Sequence, residues 1–247
     1  MADAVQRLEH DLRAIFGARF ESLVTYGERT RAAQRGEDPP GAGARPHAQD
    51  DLALQTLAIV ATLTADDLRV VAGRVNAWHA AGLATPLLLA GHEFERSLDA
   101  FPLEFGAILA DHTVVAGVNP FERMTVKAAD LRRAVEVQAR GHLLHLREGY
   151  LETAGKGDGV AALLARSAPA LAALLTSVAR LEGRDTHDPR AAARHAEHLL
   201  GISDGILTEI VALTGVEVQA AKADRLLTPY LDAVQRLVQY VDNWSAR

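Results

Sequence analysis

Apolar positions along the first half of the chain alternate between two periods. Val5, Leu8, Leu12, Ile15 and Phe16 recur at helical spacing, and residues 20–26 then have the β-branched and aromatic content of a strand that stops at Gly27. Residues 52–63 form a nearly continuous apolar run containing Ile59, Val60 and Thr62, which predicts a strand buried on both faces. Thr64 ahead of Asp66 and Asp67 predicts a helix start, because a hydroxyl there can cap free N–H groups and first-turn carboxylates meet the positive end of the helix dipole. Leu68, Val71, Val75 and Trp78 carry that helix towards Gly82. Residues 85–90, 101–108 and 113–116 predict three further short strands, with a helical turn over 92–98. Residues 28–51 contain Gly36, Pro39, Pro40, Gly41, Gly43 and Pro46 among charges and predict a mobile loop.

Beyond Ala128 only the helical period persists. Leu131, Val135, Leu143, Leu144 and Leu146 begin it, and residues 160–181, 189–200, 203–213 and 218–244 predict later helices separated by Gly or Pro. The expectation is an α/β domain over residues 1–127, with a mixed sheet and flanking helices, followed by an all-α, antiparallel helical bundle over 128–247. Gly155, Gly157 and Gly159 connect helices and follow no strand, so they read as a turn and not as a phosphate loop.

Composition narrows the chemistry. The chain has no cysteine, which removes disulfides, thiolate nucleophiles and thiolate metal sites. With 247 residues, 49% apolar and 23% charged, it has the balance of a globular protein, and no stretch holds the roughly 18 uninterrupted apolar residues of a membrane helix. The first residues lack the apolar core of a signal peptide, so a cytoplasmic location without a membrane partner is expected. A net charge of -6 and only 5% aromatic residues disfavour nucleic acid as a partner. The serines lack a nucleophile-elbow context, and Trp78 and Trp244 sit on amphipathic stripes as core or interface residues.

The order of elements and the segments Ser22-Leu23-Val24-Thr25-Tyr26-Gly27, Thr85-Pro86-Leu87-Leu88-Leu89 and 97–105, together with Leu131-Arg132, Glu136, Arg140 and Leu146-Arg147, resemble the nucleotidyltransferase superfamily. The likeness is to its minimal and aminoglycoside-type members, and to a degenerate branch among them, over roughly residues 12–151. In active members the first strand ends in Gly-Ser, which positions nucleotide phosphate, and the next strand begins with two aspartates separated by one residue. That spacing puts both carboxylates on one face of a strand, where they hold two Mg²⁺ ions.

This chain departs from the pattern. Glu28 follows Gly27, and the register puts Ala53 and Gln55 where the aspartates would stand. Asp50 and Asp51 lie just upstream as candidate metal ligands, although adjacent strand residues point to opposite faces. Glu104, in the run expected to be a strand, is the candidate third carboxylate and the one catalytic candidate. The resemblance makes Tyr26, Gly27, Arg132, Glu136 and Arg140 candidate nucleotide contacts; spacing alone reads the last three as an ion-paired helix face. His142 with His145, and His195 with His198, share helix faces but lack a third ligand.

The reading carried forward is a nucleotidyltransferase-fold protein with a degenerate metal site, acting as a non-catalytic nucleotide-sensing or protein-interaction module. A nucleotide or other small molecule is its expected ligand. The alternatives are an active transferase that uses Mg²⁺ on a small hydroxylated acceptor, and a structural homodimer formed by the apolar stripe of residues 218–241.

Overall fold

The stripe of Val5, Leu8, Leu12 and Phe16 forms the buried face of α1 (Ala2–Phe16), and a short 3₁₀ turn leads into β1 (Phe20–Tyr26). There follow β2 (Gln55–Val60), α2 (Ala65–Ala80), β3 (Leu87–Ala90), α3 (Gly91–Ala100), α4 (Pro102–Ala110) and β4 (His112–Gly117). These coordinates are a computed structural model, which describes residues 2–27, 29–30, 53–184 and 186–245. Apart from Arg29 and Thr30, whose backbone is helical, the expected loop over 28–51 lies outside the described residues.

The strands make one mixed sheet in the order β3-β2-β1-β4. β1 is antiparallel to both β2 and β4, whereas β2 and β3 are parallel, as the α2 crossover between them requires. Both faces of the sheet are covered. Leu23, Ala58, Val60 and Ala116 pack with α1 and α2 through Leu8, Leu12, Val71 and Trp78. Val24, Leu57 and Ile59 pack on the other face with Phe94 and Leu98 of α3, Phe105 and Ile108 of α4, and Phe121. Each such side chain contributes about 1.5–3 kcal/mol on burial.

Residues 101–108, expected to be a strand, are helical. Pro102 occupies the first turn of α4, where its fixed φ suits a helix and its missing N–H leaves nothing unpaired, and the Phe101 carbonyl accepts from the Phe105 N–H at 3.0 Å. Phe105 and Ile108 then lie on one helical face, and a run this short satisfies either period.

The helix start at Thr64 is reinforced from a distance. Thr64 and Asp67 cap each other, the Asp67 N–H donating to Thr64 Oγ1 at 3.2 Å and the Thr64 N–H to Asp67 Oδ2 at 2.9 Å. Arg19 grips the same carboxylate with two hydrogen bonds of 2.8 Å. Trp78, fully buried, donates its indole N–H to Asp11 Oδ2 at 2.9 Å and so ties α2 to α1.

The chain divides into two compact units, Met1–Val126 and Lys127–Arg247. The second contains α5 (Ala128–Glu152), α6 (Gly157–Leu181), α7 (Pro189–Leu200), α8 (Ile206–Val211) and α9 (Ala220–Asp242). α6 is its centre: Leu164, Ala168, Leu171, Leu174, Leu175, Val178 and Ala179 are fully covered. By length and composition α6 could also cross a membrane, a test that a core helix passes equally. Of the stripe considered for a homodimer, Leu226, Leu227, Val234, Leu237, Val238 and Val241 are buried in the second unit, and Val218 and Leu231 are half-buried.

Thr64→Ala is expected to cost about 1 kcal/mol in urea unfolding, the usual value of an N-cap. The Arg19 guanidinium, then the Thr64 hydroxyl, hold the Asp67 carboxyl well below the usual carboxylate range. A depressed folded-state pKa contributes stability that is present above the unfolded value and lost as the pH falls. Acid titration followed by circular dichroism should therefore show a shallower loss of stability below about pH 4 in Asp67→Asn than in the parent, starting from a lower plateau.

Candidate functional site

The site suggested by the resemblance lies at one end of the sheet. Tyr26 on β1 is paired with Gln55 on β2 and with His112 on β4, so the three residues form one row across three strands and share a face. It is the face filled by Phe94, Phe105 and Phe121. Immediately after the row, Gly27 turns the chain with φ +84°, a conformation that L side chains disfavour. A Cβ on Gly27 would stand 2.9 Å from Gln55 Oε1, so the amide of Gln55 lies directly over the turn.

The rest of the row is half-buried and hydrogen-bonded. Tyr26 is half-buried, and burial raises its phenol pKa; its carbonyl accepts from Thr30 Oγ1 at 3.0 Å. His112 directs Nδ1 at the carbonyls of Ile108 and Leu109, at 3.1 and 3.2 Å, and Nε2 at Asn119 Oδ1, at 3.1 Å. Its ring rests on Phe121 with centroids 4.7 Å apart. Sequence reading missed His112 and Asn119 because the strand pattern became recognisable only at Thr113. Ala53, half-buried, precedes the Leu54–Leu83 bridge, so the positions of the expected aspartate pair carry a methyl and an amide.

Glu104 is not on a strand. It lies exposed in the first turn of α4, so the alternation that would aim it into a cleft does not apply. Glu28, Asp50 and Asp51 lie outside the described residues. Among the described residues no group of three or more His, Asp or Glu side chains is arranged to hold a metal ion.

The expected contacts on α5 are brought together within the second unit. Arg132 and Arg140 flank Glu136 at 3.3 and 3.2 Å, Arg132 donates to the Asp242 carbonyl at 2.8 Å, and Arg140 meets the Asp242 carboxylate at 2.7 Å. The stripe thus fastens α5 to the end of α9. Glu197, between the second pair of histidines, is buried and accepts from the Thr208 N–H and hydroxyl at 2.7 and 2.9 Å, which caps α8. The second unit also contains a cavity of about 810 Å³ beside Glu182, Tyr240 and Trp244. There Glu182 Oε1 accepts from the Tyr240 hydroxyl at 2.5 Å and the Trp244 indole N–H at 2.6 Å.

No protein-family model matches the chain, and no curated protein matches it in sequence. Among solved structures it is similar to the spectinomycin adenyltransferase AAD(9) from Enterococcus faecialis, crystallised with ATP and spectinomycin. The TM-score is 0.50 at 11% identity, over 94% of this chain and 98% of that one. The fold is nucleotidyltransferase-like. At that identity the likeness is one of architecture: a mixed four-stranded sheet with flanking helices, then a helix-rich C-terminal region.

Gly27→Ala should lower stability by about 1–2 kcal/mol, from left-handed backbone strain together with the contact on Gln55. In Gly27→Ala/Gln55→Ala the contact is gone and the strain remains. A double-mutant cycle by chemical denaturation should therefore show the two changes to be less than additive, and strict additivity would mean that the amide does not cover the turn.

Proposed function

We propose that this chain is a nucleotidyltransferase-fold protein with a degenerate metal site, serving as a non-catalytic nucleotide-sensing or protein-interaction module. One observation carries the reading: the Gln55 amide lies over the Gly27 turn, where the resemblance implies phosphate, and the Ala53 and Gln55 positions offer no anionic oxygen. Phosphoryl transfer through two Mg²⁺ ions depends on several anionic oxygens converging on the metals. A neutral amide supplies dipoles in place of charge. It can donate to a phosphate or ribose oxygen, which supports binding without turnover. In this reading Mg²⁺ accompanies a nucleotide only as that nucleotide's own counterion.

Calorimetric titration with ATP, with and without Mg²⁺, combined with transfer assays using α-labelled ATP and a panel of hydroxylated acceptors, tests the reading. Binding that changes little when Mg²⁺ is removed, with no labelled product, is the expected result. Label transfer that requires Mg²⁺ and disappears in Asp50→Asn or Glu104→Gln would establish the active transferase instead. Neither binding nor transfer would leave protein interaction as the surviving half of the proposal.

A further inference from the structure

The buried face of α5 is carried by Leu131, Val135, Ala139, Leu143 and Leu146. On the far side of the same helix, about 160–180° around from Val135 and Leu146, stands Leu144. Val137, Leu144 and Leu151 are 68%, 61% and 76% exposed. Their spacing of seven residues falls only about 20° short of two full turns, so the three share one line along the helix. Single exposed apolar residues are ordinary, whereas three on one line form an unpartnered seam. No other described helix exposes more than two large apolar side chains.

The flanks of the seam carry opposite charge. An arginine stands four residues before each seam position, at Arg133, Arg140 and Arg147, and all three are exposed. Four residues overshoot one helical turn by about 40°, which puts these arginines on one flank and Glu148, four residues after Leu144, on the other. Exposed His145 and Glu152 continue the second flank. Arg140 is already held by Glu136 and Asp242. Arg147 instead donates to the neutral Gln235 Oε1 at 3.3 Å, and among the described residues Glu148 meets only the exposed His145, at 3.5 Å.

We propose that this face of α5 joins two copies of the chain, with the two α5 helices parallel, Val137, Leu144 and Leu151 making a shared seam and Arg147 of each copy facing Glu148 of the other. The charge pattern selects both the occupant and its direction. A two-fold axis running along the helices brings the basic flank of one copy against the acidic flank of the other on both sides of the seam. Arg147 and Glu148 are one residue apart, about 1.5 Å along the axis, so they come level in such a pair. An antiparallel pair would set arginines against arginines. Three seam residues per copy make a small interface, so the dimer is weak and concentration-dependent. The proposal concerns the second unit alone and stands apart from the nucleotide reading of the sheet end.

Sedimentation velocity of the full chain at neutral pH, over about 1–300 µM, tests it. The expected result is a shift from monomer to dimer as the concentration rises. Leu144→Glu should weaken the dimer at least about tenfold and leave thermal unfolding of the dilute protein unchanged, because the side chain already lies mostly in solvent. Arg147→Glu and Glu148→Arg should each weaken it about tenfold, since every symmetric dimer would then hold two like-charge contacts. An equimolar mixture of these two variants should recover the parent's dimerisation, because opposite charges meet again on both flanks. A monomer at every concentration, a dimer indifferent to Leu144→Glu, a mixture no better than its components, or a dimer that Arg147→Glu strengthens, the mark of antiparallel helices, would overturn the proposal.

Discussion

Two hard cations stay beside a phosphate only where anionic oxygens converge on them. In the reading proposed for this chain that convergence would fall at the end of β1, where Tyr26, Gln55 and His112 form one row. The row is occupied by a phenol, an amide and an imidazole whose nitrogens are already engaged, and the sheet face behind it is packed with phenylalanines. Gly27 matters because its left-handed backbone lets the chain turn directly beneath the Gln55 amide. The proposed reading rests on that row, whose three side chains carry no anionic oxygen.

The second unit is organised by burial around α6 and by a few polar ties of long reach. Tyr230 is the most consequential, because one buried hydroxyl contacts both Ser167 of α6 and His142 of α5 and so ties three helices together. The arginine stripe of α5 has a comparable role at the far end of α9, where Arg132 and Arg140 hold Asp242 by its carbonyl and its carboxylate. Charged spacing that suggests phosphate binding can equally be the fastening of two helices. Here Arg132 and Arg140 pair with oxygens of the chain's own Glu136 and Asp242.

Much of the fold was legible because its signals are local. The helical stripes from Leu131 onward, the cap at Thr64 and the end of the β-rich run at Gly27 each depend on neighbours within a turn or two. α4 was misread because Leu103, Phe105 and Ile108 fit two periods over a short run, and the helix is decided by Pro102 and by packing on Phe94. Glu104 lost its strand-based rationale with that correction. Strand order, and the covering of the Gln55 face by Phe94 and Phe121, were not readable, since they depend on pairings distant in sequence. The same holds for the His142–Tyr230 contact, which joins residues 88 positions apart. His112 escaped notice because a histidine at the edge of a short strand has no periodicity to mark it.

The central claim concerns charge at the sheet end, and manganese measures it directly. Electron paramagnetic resonance of the whole protein with Mn²⁺ and ATP should show no manganese bound beyond that carried by the nucleotide itself. Two protein-bound, spin-coupled Mn²⁺ ions per chain in the presence of ATP would contradict the account.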